Sequence, residues 1–217
     1  MKGLLIKDLR VILRRKQQLF ILPAICIVIA FSADGSFVIG YSAILLGMLG
    51  MTPLVADERN NGFPFLFSLP VDVKTYVNER YLFCILADLI GVAFGTALFF
   101  ASCYAKGTPD AVPDGLAYAA ICLPSTLMLL LTILPIQMIF GIERSRIITL
   151  VLYGILFAVS AVIVKVVGPI DGEKAAANLP PWITNPFVIA GGILALALIV
   201  CGILYGWCLK TLKNREF

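Results

Sequence analysis

The chain contains no histidine, and none of its six cysteines forms a C-x-x-C pair. Zinc and haem sites of the usual kind draw on those ligands, so that chemistry is set aside first. No G-x-x-x-x-G-K-[ST] loop occurs, so the chain has no such cradle for ATP phosphates. Charge is scarce as well: 14% of residues, against roughly a quarter in soluble domains. What fills the space is apolar. Of 217 residues, 60% are hydrophobic, and the mean hydropathy is +0.99. One water-surrounded core of this size cannot hide that much apolar surface, so lipid is the solvent for much of the chain.

A helix needs about 20 mostly apolar residues to cross the hydrocarbon layer. Six segments meet or approach that length: residues 19–32, 37–55, 82–104, 116–140, 147–167 and 188–209. The first is short and carries Pro23, which leaves a full crossing or a re-entrant hairpin open. The fourth carries Pro124 and Pro135, and a kink or break is expected there. The period-two alternation of a membrane β-barrel is missing. The fold class expected is all-α integral membrane, with six transmembrane helices in one domain spanning residues 1–217.

Lys and Arg in the short connections give the orientation. Residues 1–18, 56–81 and 141–146 and the tail at 210–217 hold fourteen of the seventeen basic residues. The other side holds only Lys106, Lys165 and Lys174. Both termini are expected in the cytoplasm. The net charge of +4 reflects this anchoring and gives no argument for nucleic acid. "AFSADG" after the first apolar run loosely resembles a signal-peptidase site. The long basic segment before it and the spans after it argue against cleavage.

The opening "MKGLLIKDLRVILRRKQQ" sets Leu5, Leu9, Ile12 and Leu13 on one helical face, with Lys7, Arg10 and Arg14 opposite. It reads as an amphipathic interfacial helix on the inner leaflet. The cysteines lie in or beside apolar spans and behave as small hydrophobes, although Cys103 and Cys122 flank one outer loop and are placed to approach each other. Gly91-x-x-x-Gly95 and Gly202-x-x-x-Gly206 permit close helix packing. Asp88 is an acid inside the third span, where a carboxylate is costly. It is read either as a partner of Arg80 or of a neighbouring helix, or as a transport residue. The last outer loop is rich in Gly and Pro, and its Trp182 and paired Pro180–Pro181 suggest a structured lid or an interfacial anchor.

One stretch breaks the apolar pattern on the basic side: "ADERNNGFPFLFSLPVDVKTYVNER", residues 56–80. Asp57 and Glu58 stand where a span emerges, Gly62 permits a reversal, and Pro64 suits a first helical turn. Phe63, Leu66 and Phe67 make an apolar ridge. Pro70 stops the segment by disfavouring helix at Leu69, and Asp72 is placed to cap a second helix, 73–80, that feeds into the third span. The elbow fits two uses: a loop dipping its aromatics into headgroups, or a ridge seated in a groove of a cytoplasmic partner.

The stretch resembles the first intracellular loop of ABC-2 type permeases, the membrane subunits of ABC exporters. The matching features are Glu58, the aromatic run 63–67, Ser68-Leu69-Pro70-Val71, Lys74, Tyr76-Val77 and Arg80-Tyr81-Leu82. "FGIERSR", residues 140–146, is similar to the family's second cytoplasmic loop. Asp72 and Arg80 depart from the commoner residues there. Within the family the chain looks closest to small bacterial permeases exporting peptides or antibiotics, such as phenol-soluble-modulin and bacitracin-resistance permeases.

The resemblance implies the transmembrane domain of a type V exporter in the bacterial inner membrane, expected as a homodimer and served by two copies of a separate cytoplasmic ATPase. ATP and Mg would be bound by that partner, with no cofactor and no catalysis in this chain. It implies an ATPase interface of Asp57, Glu58, Arg59, Phe63, Leu66, Phe67, Leu69 and Pro70, with Glu143 and Arg144 as a second contact. A translocation path between spans two and five would carry Tyr41, Ser42, Tyr153 and Ser160. Spans almost free of charge suggest amphipathic cargo. The competing reading is a membrane scaffold or sensor that binds a cytoplasmic partner without transporting. A secondary transporter is disfavoured by the lack of intramembrane charge pairs.

Overall fold

In a hydrocarbon solvent each backbone N–H and C=O must find its partner inside the segment, and the apolar runs do so as helices. The computed structural model describes residues 2–32, 36–59, 72–107, 112–167 and 185–213, and its eight regular elements are all α-helices. They are α1 (Lys2–Arg14), α2 (Lys16–Ser32), α3 (Phe37–Gly50), α4 (Thr52–Arg59), α5 (Val73–Lys106), α6 (Val112–Phe140), α7 (Ile142–Val167) and α8 (Pro186–Lys213). Met51 joins α3 to α4: its N–H bonds the Met48 carbonyl at 3.1 Å, and its own carbonyl accepts from Val55 N–H at 3.3 Å. The seam falls there because Pro53 has no N–H to return to the preceding turn.

Four stretches among the described residues are long and apolar enough to cross a membrane: Phe37–Arg59, Val73–Lys106, Val112–Phe140 and Pro186–Lys213. The apolar part of α2, Lys16–Phe31, is shorter. The break expected in α6 does not occur: Val112–Phe140 is one helix through both prolines, which are buried. Asp72 does occupy the N-cap position of α5 in extended conformation, yet its side chain makes no capping bond, and 73–80 runs on into the third span as one 34-residue helix.

Helix α5 is the spine of the bundle. It packs most closely on α3, where the first glycine pair acts. A Cβ on Gly91 would stand 2.8 Å from Ala43 Cα, and one on Gly95 would stand 2.9 Å from Ile39 Cα. Bare glycines let the two backbones meet, and Ser42 crosses the seam to donate to the Gly91 carbonyl at 2.9 Å. Gly202 and Gly206 face open space instead. One apolar cluster, around Val38, Ile39, Val92 and Phe99, lies between α2, α3 and α5. Cys103 and Cys122 both pack on it as free thiols. The other cluster gathers Leu54, Tyr76, Leu130, Leu134 and Cys208 from α4, α5, α6 and α8 toward the basic end.

Helix α1 divides its faces differently from the sequence pattern. Asp8 and Ile12 are buried, and Leu4 packs on the cluster at the basic end, whereas Ile6, Leu9 and Leu13 are exposed. The helix docks on the bundle with one stripe and turns a second apolar stripe outward.

Candidate functional site

The basic end of the bundle is built around one arginine. Arg80, in the third turn of α5, is buried, and its guanidinium forks between two carboxylates. One terminal nitrogen pairs with Asp8 of α1 and the other with Asp57 of α4. Lys7 adds a 2.9 Å ion pair to Asp57 and lies 3.5 Å from Asp8. The Tyr76 hydroxyl donates to Asp57 at 3.4 Å, and its ring lies under the guanidinium, 4.9 Å from centroid to carbon. Glu79, also buried, stands 3.7 Å from the Arg80 Nε. Three carboxylates thus face two cations. A planar fork that bridges two acids is a task for Arg rather than Lys.

This clasp ties three elements that are far apart in the chain. Asp57 lies just before the 60–71 segment and Arg80 shortly after it, so the two sides of that segment are joined at their base. Asp8 brings in α1. Arg80 is therefore committed to Asp8 and Asp57, and Asp88 finds its partner elsewhere, in Thr126 of α6, whose Oγ1 donates at 3.1 Å. Asp88 is fully buried, and its Oδ1 makes no hydrogen bond.

One residue after Asp57, Glu58 reaches across to the turn between α6 and α7. Its two oxygens accept from the Ile142 backbone N–H at 2.8 and 3.0 Å. A carboxylate at the start of a helix satisfies an orphan donor and meets the positive end of the helix dipole. The turn itself is Gly141, with φ of 79°. It closes α6 by donating to the Gln137 carbonyl at 3.0 Å and opens α7 by accepting from Ser145 N–H at 2.9 Å. Left-handed backbone of this kind suits glycine.

Between the end of α4 and the first turn of α7 lies a hollow of about 370 Å³. Glu58 and Arg59 line one side, and Ile142, Glu143, Arg144 and Arg146 line the other. Arg59, Glu143, Arg144 and Arg146 are exposed. The structure thus brings Asp57, Glu58, Arg59, Glu143 and Arg144 to one end of the molecule. Phe63, Leu66, Phe67, Leu69 and Pro70 fall outside the described residues, as does Trp182. Of the four path residues, Ser42 is buried in the α3–α5 seam. Tyr41 is half-buried and stacks on Phe37 with centroids 5.9 Å apart. Tyr153 is half-buried against the α4–α5–α6–α8 cluster. Ser160 lies outside the residues whose side chains are described.

Sequence reasoning missed Asp8 and Thr126. Asp8 did leave a trace: it is the lone acid among residues 1–18, set between Leu4 and Ile12 on one helical stripe. Thr126 leaves none, since a span threonine ordinarily bonds its own preceding turn, and Thr126 also does that, at 2.9 Å to the Cys122 carbonyl. Among the described residues, no group of three or more His, Cys, Asp or Glu side chains is arranged to hold a metal ion.

A multi-pass helical bundle whose one polar end is held by a buried charge clasp defines a membrane-embedded protein. Comparison with known families narrows that class. The family model described as ABC-2 family transporter protein matches residues 3–213, and the chain belongs to that family. It is a membrane permease subunit of an ABC transporter, a transport component of a kind that is generally non-catalytic and that associates with an ABC ATPase and usually with a second permease. No curated protein and no solved structure matches the chain.

Proposed function

We propose that the chain is the transmembrane half of an ATP-driven exporter, and that its basic end is the cytoplasmic surface on which the ATPase acts. The observation that carries this reading is the Glu58 bond to Ile142 N–H. It makes the end of α4 and the start of α7 one mechanical unit, so a push on the 60–71 segment or on the 143–146 turn is felt by both. Asp57 and Arg80 extend the unit to α5 and, through Asp8, to α1. In this reading Phe63, Leu66, Phe67, Leu69 and Pro70 form the coupling ridge, with Arg59, Glu143 and Arg144 as its polar rim. Closure of two ATPases would tilt the helices between two access states. With both termini cytoplasmic, α2 and α7 complete six spans. At 26 residues, α7 reaches about 39 Å, enough for the hydrocarbon layer. Two copies of the chain would enclose the path, with Tyr41, Ser42, Tyr153 and Ser160 as its polar candidates. The apolar character of the spans favours an amphipathic cargo such as a peptide or antibiotic, in a bacterial inner membrane.

The test is co-expression with the nearest encoded ABC ATPase and purification through a tag on the permease. Wild type is compared with Glu58→Ala and Phe63→Ala for recovered ATPase and vanadate-sensitive ATP hydrolysis. Recovery that falls in both variants supports the coupling assignment. Recovery of the permease alone, with the variants behaving like wild type, overturns it and returns the segment to a membrane-surface loop.

A further inference from the structure

Away from the clasp, on the outer side of α1 and α2, two features adjoin that the transport reading does not use. The first is basic. Helix α1 ends at Arg14, the chain turns at Arg15, and α2 begins at Lys16. A shallow hollow of about 420 Å³ is lined by Arg14, Arg15, Lys16, Gln17 and Gln18. Among the described residues none of those three cations takes part in a salt bridge, unlike Lys7 and Arg80. The second feature is a groove of about 220 Å³ between α2, α3 and α5, whose walls expose no polar surface. Leu19, Leu22 and Pro23 form one wall, and Leu46, Leu49 and Phe94 face them. Gln18 lines both hollows, so the groove opens where the basic hollow ends. Arg15 leans over that junction, its guanidinium donating to Gln18 Oε1 at 3.5 Å.

We propose that this junction binds one anionic glycerophospholipid from the leaflet at the basic end. Its phosphate lies among Arg14, Arg15 and Lys16, and one acyl chain lies in the α2–α3–α5 groove. The charge argument selects the headgroup: three uncompensated cations at one turn attract a net negative lipid and gain little from a zwitterionic one. Arg presents a fork that matches phosphate oxygens. The groove argument selects a diacyl lipid over free phosphate, because a dry apolar slot beside the cations adds nothing for an inorganic anion. Such a lipid would fix the angle between α1 and α2, and α1 carries Asp8 into the clasp.

The test uses the full chain with Phe94→Trp as a reporter in the groove, reconstituted in phosphatidylcholine vesicles. Brominated-chain phosphatidylglycerol or brominated-chain phosphatidylcholine is titrated in, and quenching is read against the same titrations of the unmodified chain. The expected result is a preference for phosphatidylglycerol on the order of a hundredfold, from about 1 kcal/mol per basic residue. It should be lost in the Arg14→Gln, Arg15→Gln, Lys16→Gln variant and kept with Lys at positions 14 and 15. If the triple variant does not insert, two single changes decide. Arg15→Gln should lower the preference, and Leu46→Trp, which fills the slot, should lower quenching by both lipids in the Phe94→Tyr background, where the new indole reports. Equal quenching by the two lipids, or a preference that survives the triple change, overturns the proposal. Inorganic phosphate that displaces phosphatidylglycerol at equal concentration also overturns it, because the chain would then add nothing.

Discussion

The Glu58 carboxylate occupies the place where residue 141 would need a side chain: a Cβ built on Gly141 stands 2.6 Å from Glu58 Oε1. The acid at the end of α4 and the glycine between α6 and α7 therefore depend on each other. Gly141→Ala faces both the left-handed backbone and this collision, and we expect a loss of about 1–2 kcal/mol. Thermal unfolding in detergent reads it. Adding Glu58→Ala should relieve the collision and leave the backbone strain, so the double variant should lose less than the sum of the two single changes.

Arg80→Met should be among the most damaging single changes, costing about 3–5 kcal/mol, because it leaves the Asp8 and Asp57 carboxylates sharing only the partly exposed Lys7 as counter-ion. Arg80→Lys should recover only part, since one ammonium cannot fork to both acids. A double-mutant cycle between Arg80→Met and Asp8→Asn should show strong coupling. Additive effects would remove Asp8 from the clasp.

Of the two glycine pairs, only the first should respond to an added methyl group. Gly95→Ala puts a Cβ 2.0 Å from Ser42 Oγ and 2.9 Å from Ile39 Cα, which forces α3 and α5 apart. A lowered unfolding midpoint is expected, with partial recovery by Ser42→Ala. Gly202→Ala meets nothing within 4 Å and should stay within about 0.5 kcal/mol of wild type.

Asp88 and Thr126 separate a structural acid from a transporting one. Asp88→Asn keeps an acceptor for the Thr126 hydroxyl while removing the buried charge, so the fold should be retained or firmer. Thr126→Val strands the carboxylate and should cost about 1–3 kcal/mol. Transport measured in vesicles should survive Asp88→Asn if the acid serves packing, and should fail with the fold intact if it carries charge.

Legibility in the sequence followed the range of each interaction. The long apolar runs were readable because every residue in a span reports the same solvent. Gly91 and Gly95 were readable because the motif is complete within one turn and a half. The clasp was not. Asp8 and Arg80 are 72 positions apart, and nothing in the neighbourhood of either names the other. The apolar face of α1 misled for a related reason: periodicity shows that Leu9 and Ile12 want cover without saying whether lipid or protein provides it. In the structure Ile12 is covered by the protein, and Leu9 stands outward. Glu58 was singled out, but its partner is a backbone N–H, and backbone groups have no letter in a sequence.

The clasp also separates two inheritable properties of the chain. Asp57 and Arg80 hold the two roots of the 60–71 segment together with side chains that lie outside it, so the spacing of those roots does not depend on what the segment contains. On the coupling role proposed above, exchanging that segment for another permease's would redirect the choice of ATPase while the clasp beneath it stays as it is. Under that proposal, partner choice and fold would change independently.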